Sequence, residues 1–279
     1  MAQRIVYTDL DGTLLDFTTY SYAITAPTVG KLQKEGIPLV FCSSKTRLEQ
    51  EVYLKALEVH HPFIVENGSA ILVPKHYFSF DLQSIAPAYG ITLHELEGYH
   101  AILLGKPADY IRESIRHARS SCGVDVKGYA DLSLPDIMLL TGLDEEAAQK
   151  AANRDFSETL LSGVDATTEN WQKFNQMLYE KKLQCVSGGK FHTIMGIASD
   201  KGKAITLLNL LFQQQYGSIE TIGLGDSAND LPLLQTVDRA FLVQKPNGQW
   251  QPISDPNIKK VSAIGPMGWK MAIESYFSF

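Results

Sequence analysis

The sequence predicts an α/β fold, a doubly wound and mostly parallel sheet that carries an inserted α+β unit. Three observations lead there. Apolar runs of strand length alternate with amphipathic helical stretches over residues 1–80 and again over 198–279. Between them, residues 81–197 read as a different mixture of strands and helices, a separate unit set between two halves of the first. Polar clusters also sit directly behind several apolar runs, and the carboxyl ends of strands are where open α/β sheets bind ligands.

Ile5-Val6-Tyr7-Thr8 reads as a first buried strand and ends in Asp9-Leu10-Asp11-Gly12-Thr13. Pro27 and Gly36 bracket a helical pattern, proline just inside the start and glycine at the end. Ile37-Pro38-Leu39-Val40-Phe41-Cys42 is a second buried strand that runs into Ser43-Ser44-Lys45-Thr46. Thr46, with Glu49 three residues on, forms a capping box for the next helix. Phe63-Ile64-Val65 and Ala70-Ile71-Leu72-Val73 make a hairpin across Glu66-Asn67-Gly68, an Asn-Gly turn. In the inserted block, a strand at Ala101-Ile102-Leu103-Leu104 precedes a helix opened by Pro107 that runs through Ser120. Asp144 caps a helix to Arg154, another helix covers Thr168 to Lys181, and two strands fall near Leu183–Val186 and Phe191–Met195. From Asp200 the alternation returns, with Ile205, Leu208, Leu211 and Phe212 on one helix face. The strand Thr221-Ile222-Gly223-Leu224 delivers Gly225-Asp226-Ser227-Ala228-Asn229-Asp230. Two more strands, Arg239 to Val243 and Lys260 to Ile264, lead to a last helix starting near Pro266.

Composition narrows the function classes. Apolar content of 44% and charged content of 20% are those of a soluble globular chain. A net charge of -6 without any Lys/Arg run argues against a broad nucleic-acid face, so attraction for an anionic substrate must be local. Cys42, Cys122 and Cys185 are odd in number and lack CxxC spacing, which points to a reduced compartment. A strand beginning by Arg4 leaves no room for a signal peptide, and no apolar run approaches membrane-spanning length. A cytoplasmic protein, monomeric or homodimeric, with a small-molecule partner and no nucleic acid or membrane, is the expectation.

Four polar clusters stand at strand ends or helix starts: Asp9/Asp11, Ser43, Lys201 and Asp226/Asp230. With one residue between them, the Asp9 side chain and the Asp11 carbonyl can reach one hard cation while the Asp11 carboxylate faces the same pocket. Oxygen ligands of this kind suit Mg²⁺. An Asx-rich turn is the plainer reading of the same residues. Ser43 and the 226–230 segment read equally as helix entry. Lys201 near a helix start is unfavourable to the helix dipole and asks for an anion nearby. Gly188-Gly189-Lys190 lacks the spacing of a phosphate loop. Together the clusters offer carboxylates for a cation, a hydroxyl and an ammonium for phosphate oxygens, and a second carboxylate for proton transfer.

The series Asp9-x-Asp11-Gly12-Thr13, Ser43 after a strand, Lys201 before a helix and Gly225-Asp226-x-x-Asn229-Asp230 resembles the four motifs of the haloacid dehalogenase superfamily of phosphatases. The inserted block lies between the second and third motifs, as in the branch with a large α/β cap. This resemblance implies a Rossmann-like core, Asp9 as the nucleophile that forms an aspartyl-phosphate, and Asp11 as general acid and then base. It implies Mg²⁺ held by Asp9, Asp11 (through its carbonyl) and Asp226, with Asp230 near it directly or through water. It also implies that Ser43, Lys201 and Asn229 hold the phosphoryl group.

Finer features depart from many relatives with this cap. Ser43-Ser44-Lys45-Thr46 stands where those carry Thr-Gly-Arg. With Glu66-Asn67-Gly68-Ser69, Asp200-Lys201-Gly202-Lys203-Ala204 and Gly265-Pro266-Met267-Gly268-Trp269, it resembles the mannosyl-3-phosphoglycerate phosphatases. That family releases the compatible solute mannosylglycerate. The implied substrate is a phosphorylated sugar derivative, with the glucosyl compound and sucrose phosphate as alternatives and a hexose phosphomutase as a rival reaction. A phosphosugar-binding regulator is the non-enzymatic rival, which the complete set of motif residues opposes. Ser44, Lys45, Lys190 and His192 are the candidate substrate contacts, against plain readings as solvated or structural side chains.

Overall fold

A computed structural model describes residues 2–161, 168–188 and 191–279. Strands β1 (Gln3–Thr8), β2 (Leu39–Phe41), β10 (Ile219–Gly225), β11 (Arg239–Gln244) and β12 (Ile258–Ile264) form a parallel sheet in the order β12-β11-β10-β1-β2. A bridge between Cys42 and Ile64 carries the pairing on to β3 (Phe63–Val65). From there β3, β4 (Ala70–Pro74), β6 (Tyr99–Leu103) and β5 (Leu93–Leu96) continue as an antiparallel edge.

Alternation along β1 divides the core into two layers. Val6, Leu10, Leu39 and Phe41 face helices α1 (Ala26–Lys34), α2 (Arg47–Ala56) and α10 (Gly265–Phe277), with Trp269 fully buried among them. Ile5, Tyr7 and Val40 face α8 (Lys201–Tyr216), α9 (Leu231–Thr236) and the short α3 (Leu82–Ile85). Helices on both faces make the sheet doubly wound, as the alternating sequence requires. The local signals act as read: Thr46 and Glu49 form the capping box of α2, a proline sits in the first turn of α1, and β3–β4 is a hairpin.

A second, antiparallel sheet of order β7-β9-β8 comprises β7 (Ser157–Leu161), β8 (Leu183–Gly188) and β9 (Phe191–Gly196). Helices α4 (Ala108–Cys122) and α7 (Glu169–Glu180) cover one of its faces through Ile111, Ile115, Trp171 and Phe174. Helices α5 (Leu134–Thr141) and α6 (Glu145–Ala152) pack on each other beside it. This is the inserted cap.

One expectation needs correction. The inserted unit does not begin to separate at residue 81: β5 and β6 pair with β4, and Leu82, Ala86, Ile91 and Ile102 pack in the same layer as Ile5 and Tyr7. Strand pairing, which the local pattern does not reveal, keeps this stretch with the core. The chain leaves for the cap near Gly105 and returns near Gly196, where the two backbones cross so closely that a Cβ on Gly196 would lie 2.9 Å from the Gly105 Cα.

Candidate active site

Register brings the strand-end residues together. Thr8 of β1 lies opposite both Leu224 of β10 and Phe41 of β2, so Asp9, the 225–230 segment and Ser43 leave the sheet side by side. The Asp9 N–H donates to the Leu224 carbonyl at 3.0 Å. Lys201 joins them as the first residue of α8, whose cap Asp200 accepts from the Lys203 N–H at 2.8 Å. The β3–β4 turn presses against this helix start. Gly68 has φ +85°, and a Cβ there would sit 2.3 Å from the Asp200 carbonyl carbon, so only glycine lets the turn approach.

Asp9, Asp226 and Asp230 each place a carboxylate oxygen within 4.8 Å of the others, and all three are buried. Lys201 Nζ bridges two of them, at 2.8 Å from Asp9 Oδ1 and 2.6 Å from Asp230 Oδ1. The other Asp230 oxygen accepts from the backbone N–H groups of Asp226 and Ser227, each at 3.1 Å. Asp230 therefore ties Lys201 to the 226–227 backbone.

Three carboxylates against one ammonium leave excess negative charge in a buried site. Burial, then the charge of Asp230, raises the Asp9 pKa well above the usual carboxylate range, against the opposing pull of Lys201. Asp226 is pushed up to about 6 by burial and then by the Asp230 charge. Burial disfavours the Lys201 ammonium, but Asp230 and Asp9 outweigh this and hold it charged. An all-oxygen set short of positive charge is what a hard divalent cation would complete, so these residues fit Mg²⁺.

Around the cluster, Ser43 is fully buried and its Oγ accepts from the Lys45 N–H at 3.2 Å. Lys45 Nζ lies 3.1 Å from Asp11 Oδ1 and 4.6 Å from the centre of the Tyr20 ring. Burial raises the Asp11 pKa, and Lys45 pulls the other way. Asn229 Nδ2 donates to Asn67 Oδ1 at 3.4 Å.

Beside the cluster is a cleft of 790 Å³ between core and cap, which Asp11, Lys45 and Asn229 line from one side and Tyr129, Phe191 and Thr193 from the other; Asp9, Ser43, Lys201, Asp226 and Asp230 are buried and do not line it. Ser44 lines it too, and its carbonyl accepts from Arg154 Nη2 at 3.0 Å. The expectation for His192 is corrected: its neighbours Phe191 and Thr193 line the cleft, whereas His192 is buried with its ring 5.0 Å from that of Trp171. Strand alternation sends it to the opposite face. Lys190 lies outside the described residues.

Two features escape the sequence reading. Glu66, fully buried, accepts from the Asp155 N–H at 2.9 Å and from the Phe156 N–H and Ser157 hydroxyl, with Arg154 Nε 3.5 Å away. A residue that reads as part of a turn thus docks the cap onto the core. Lys245, directly behind β11, also lines the cleft. Its place after a strand is the same signal that marks Ser43.

Residues 6–255 match the family of haloacid dehalogenase-like hydrolases. The chain belongs to this family. It is 41% identical over 272 residues to the glucosyl-3-phosphoglycerate/mannosyl-3-phosphoglycerate phosphatase of Methanococcoides burtonii, covering 97% of this chain and 96% of that one. It is 37% identical over 240 residues to the mannosyl-3-phosphoglycerate phosphatase of Pyrococcus horikoshii, covering 86% and 90%. Among solved structures, a Thermoplasma acidophilum protein shares the fold with a TM-score of 0.65 at 14% identity, covering 100% of this chain and 99% of that one. Family and relatives make the protein a phosphoric monoester hydrolase.

Proposed function

We propose that the protein is a Mg²⁺-dependent phosphatase that removes the 3-phosphate of mannosyl-3-phosphoglycerate, or of its glucosyl counterpart, through an aspartyl-phosphate on Asp9. The observation that carries the chemistry is Lys201, whose buried ammonium bridges Asp9 and Asp230, the chain neighbours of the cleft-lining Asp11 and Asn229. The names of the two relatives support the substrate, and with it a product that serves as a compatible solute.

In this reading Asp9 Oδ attacks phosphorus and the bond from phosphorus to the ester oxygen breaks. Asp11, its pKa raised by burial, gives its proton to the departing glycerate oxygen. The Asp11 carboxylate then takes a proton from water, whose oxygen attacks phosphorus and releases Asp9 with inorganic phosphate. Lys201, Ser43 and Asn229 hold the phosphoryl oxygens, and Lys201 offsets the repulsion between Asp9 and an anionic ester. Asp9, Asp226 and the Asp11 carbonyl would hold Mg²⁺, with Asp230 beside them, and the ion supplies charge neutralisation at the transferring group. Lys45 sets the orientation and charge of Asp11. The cap excludes bulk water and provides hydroxyl and aromatic groups for a sugar.

Asp11→Asn tests the division of roles. It removes the proton carrier but leaves the nucleophile, so with a good leaving group the phosphoenzyme should accumulate, and acid-quenched mass spectrometry should find the phosphoryl group on the peptide holding Asp9. Phosphoryl label on another peptide, or wild-type turnover in this variant, overturns the assignment.

A further inference from the structure

Among the described residues, three cations line the cleft: Lys45, Arg154 and Lys245. Two are already committed. Lys45 is shared between Asp11 at 3.1 Å and Glu49 at 3.5 Å. Arg154 is spent on Glu66, on Ser157 Oγ at 2.7 Å and on the Ser44 carbonyl at 3.0 Å. Lys245 differs. Its Nζ donates to the neutral Gln251 Oε1 at 2.5 Å, and among the described residues no carboxylate forms an ion pair with it.

The backbone holds Lys245 firmly. Its N–H donates to the Gln249 carbonyl, and its own carbonyl accepts from Gly248 N–H, each at 2.9 Å. This turn projects directly from the carboxyl end of β11, on the wall that also carries Ser227, Ala228 and Asn229. A half-buried ammonium with only a neutral partner, beside an acidic cluster and facing a cleft, is arranged to receive an anion.

We propose that Lys245 binds the carboxylate of the substrate, the second anionic group of a phosphorylated hydroxy acid. This rests on the glycosyl-phosphoglycerate reading above. In such an ester only the glycerate carbons separate carboxylate from phosphate, so with phosphorus at Asp9 the carboxylate falls on the side of the core wall that carries Asn229 and Lys245. The sugar is then left to reach Tyr129, Thr159 and Thr193 on the cap wall. Gln251 positions the ammonium without neutralising it.

Steady-state phosphate release by Lys245→Met and Lys245→Arg decides the matter. The substrates are mannosyl-3-phosphoglycerate, 3-phosphoglycerate and glycerol 3-phosphate, which has no carboxylate. A hydrogen bond to a charged group corresponds to a loss of ~10- to 100-fold in kcat/KM, carried mainly by KM. That loss is expected for Lys245→Met on both carboxylate esters, with glycerol 3-phosphate unchanged and Lys245→Arg recovering most of it. Equal losses on all three esters, or no loss on the carboxylate esters, overturn the proposal. A wild type without preference for the glycosyl ester would refute the substrate reading alone. The ratio of 3-phosphoglycerate to glycerol 3-phosphate in the variant, against the wild-type ratio, would still decide the role of Lys245.

Discussion

Lys201 Nζ lies 2.8 Å from Asp9 Oδ1, with both side chains buried. The proposed nucleophile and the ammonium that offsets its charge are thus set side by side, and Asp230 completes the bridge from the other side. Removing one partner of a buried ion pair leaves the other uncompensated. Lys201→Met should therefore lose about 3 kcal/mol of stability in urea unfolding of the metal-free protein. Its phosphate release should fall by ~10³-fold, the loss of a preorganised charge at the transferring group. Unchanged kinetics would move the role to Lys203.

The acidic cluster makes stability depend on pH and metal together. Asp226, raised to about 6, and Asp9, also raised, hold their protons more tightly in the folded than in the unfolded chain. Their contribution is therefore present at low pH and is lost as pH rises from about 4, the unfolded value, through about 6. A divalent cation opposes that loss by favouring the ionised carboxylates. In EDTA, melting temperature should drop between about pH 5 and about pH 7.5, and the gain on adding Mg²⁺ should be larger at the higher pH. An equal gain at both would argue against Asp9 and Asp226 as the metal site.

How much of this was legible depends on how local each cause is. The clusters at Asp9, Ser43, Lys201 and Asp226 can be read because each follows an apolar run or opens a helix, and sheet register then brings them together. The capping box at Thr46 is legible for the same reason. Strands β5 and β7 are not: Leu93-His94-Glu95-Leu96 and Ser157-Glu158-Thr159-Leu160-Leu161 carry mixed patterns, and pairing with β6 and β9 makes them strands. His192 fails by parity, since one residue decides which face of β9 a side chain takes. Glu66 reads as a turn residue because its partners lie 89 to 91 residues away. Lys245 gains meaning only once Lys45 and Arg154 are seen to be occupied.

Glu66 links core and cap at one buried carboxylate. Burial raises its pKa, with Arg154 and its hydrogen-bond donors acting in the opposite direction. Glu66→Gln keeps the shape but aims an amide N–H₂ at donors and leaves Arg154 without its countercharge. A loss of about 3 kcal/mol in urea unfolding is expected. A raised KM for a sugar-bearing ester, with a smaller change for a small phosphate ester, is expected as well, because the cap wall is misplaced. Wild-type stability would show that Arg154 finds compensation elsewhere.

The most direct test of the central claim is phosphate release, with Mg²⁺ or with EDTA, from mannosyl-3-phosphoglycerate, its glucosyl analogue, sucrose 6-phosphate, mannose phosphates and phosphoglycolate. Release that EDTA abolishes is expected, with the highest kcat/KM for the two glycosyl-phosphoglycerates. Equal or faster release from the other esters would contradict the substrate assignment, and EDTA-insensitive release would contradict the metal-dependent chemistry at Asp9.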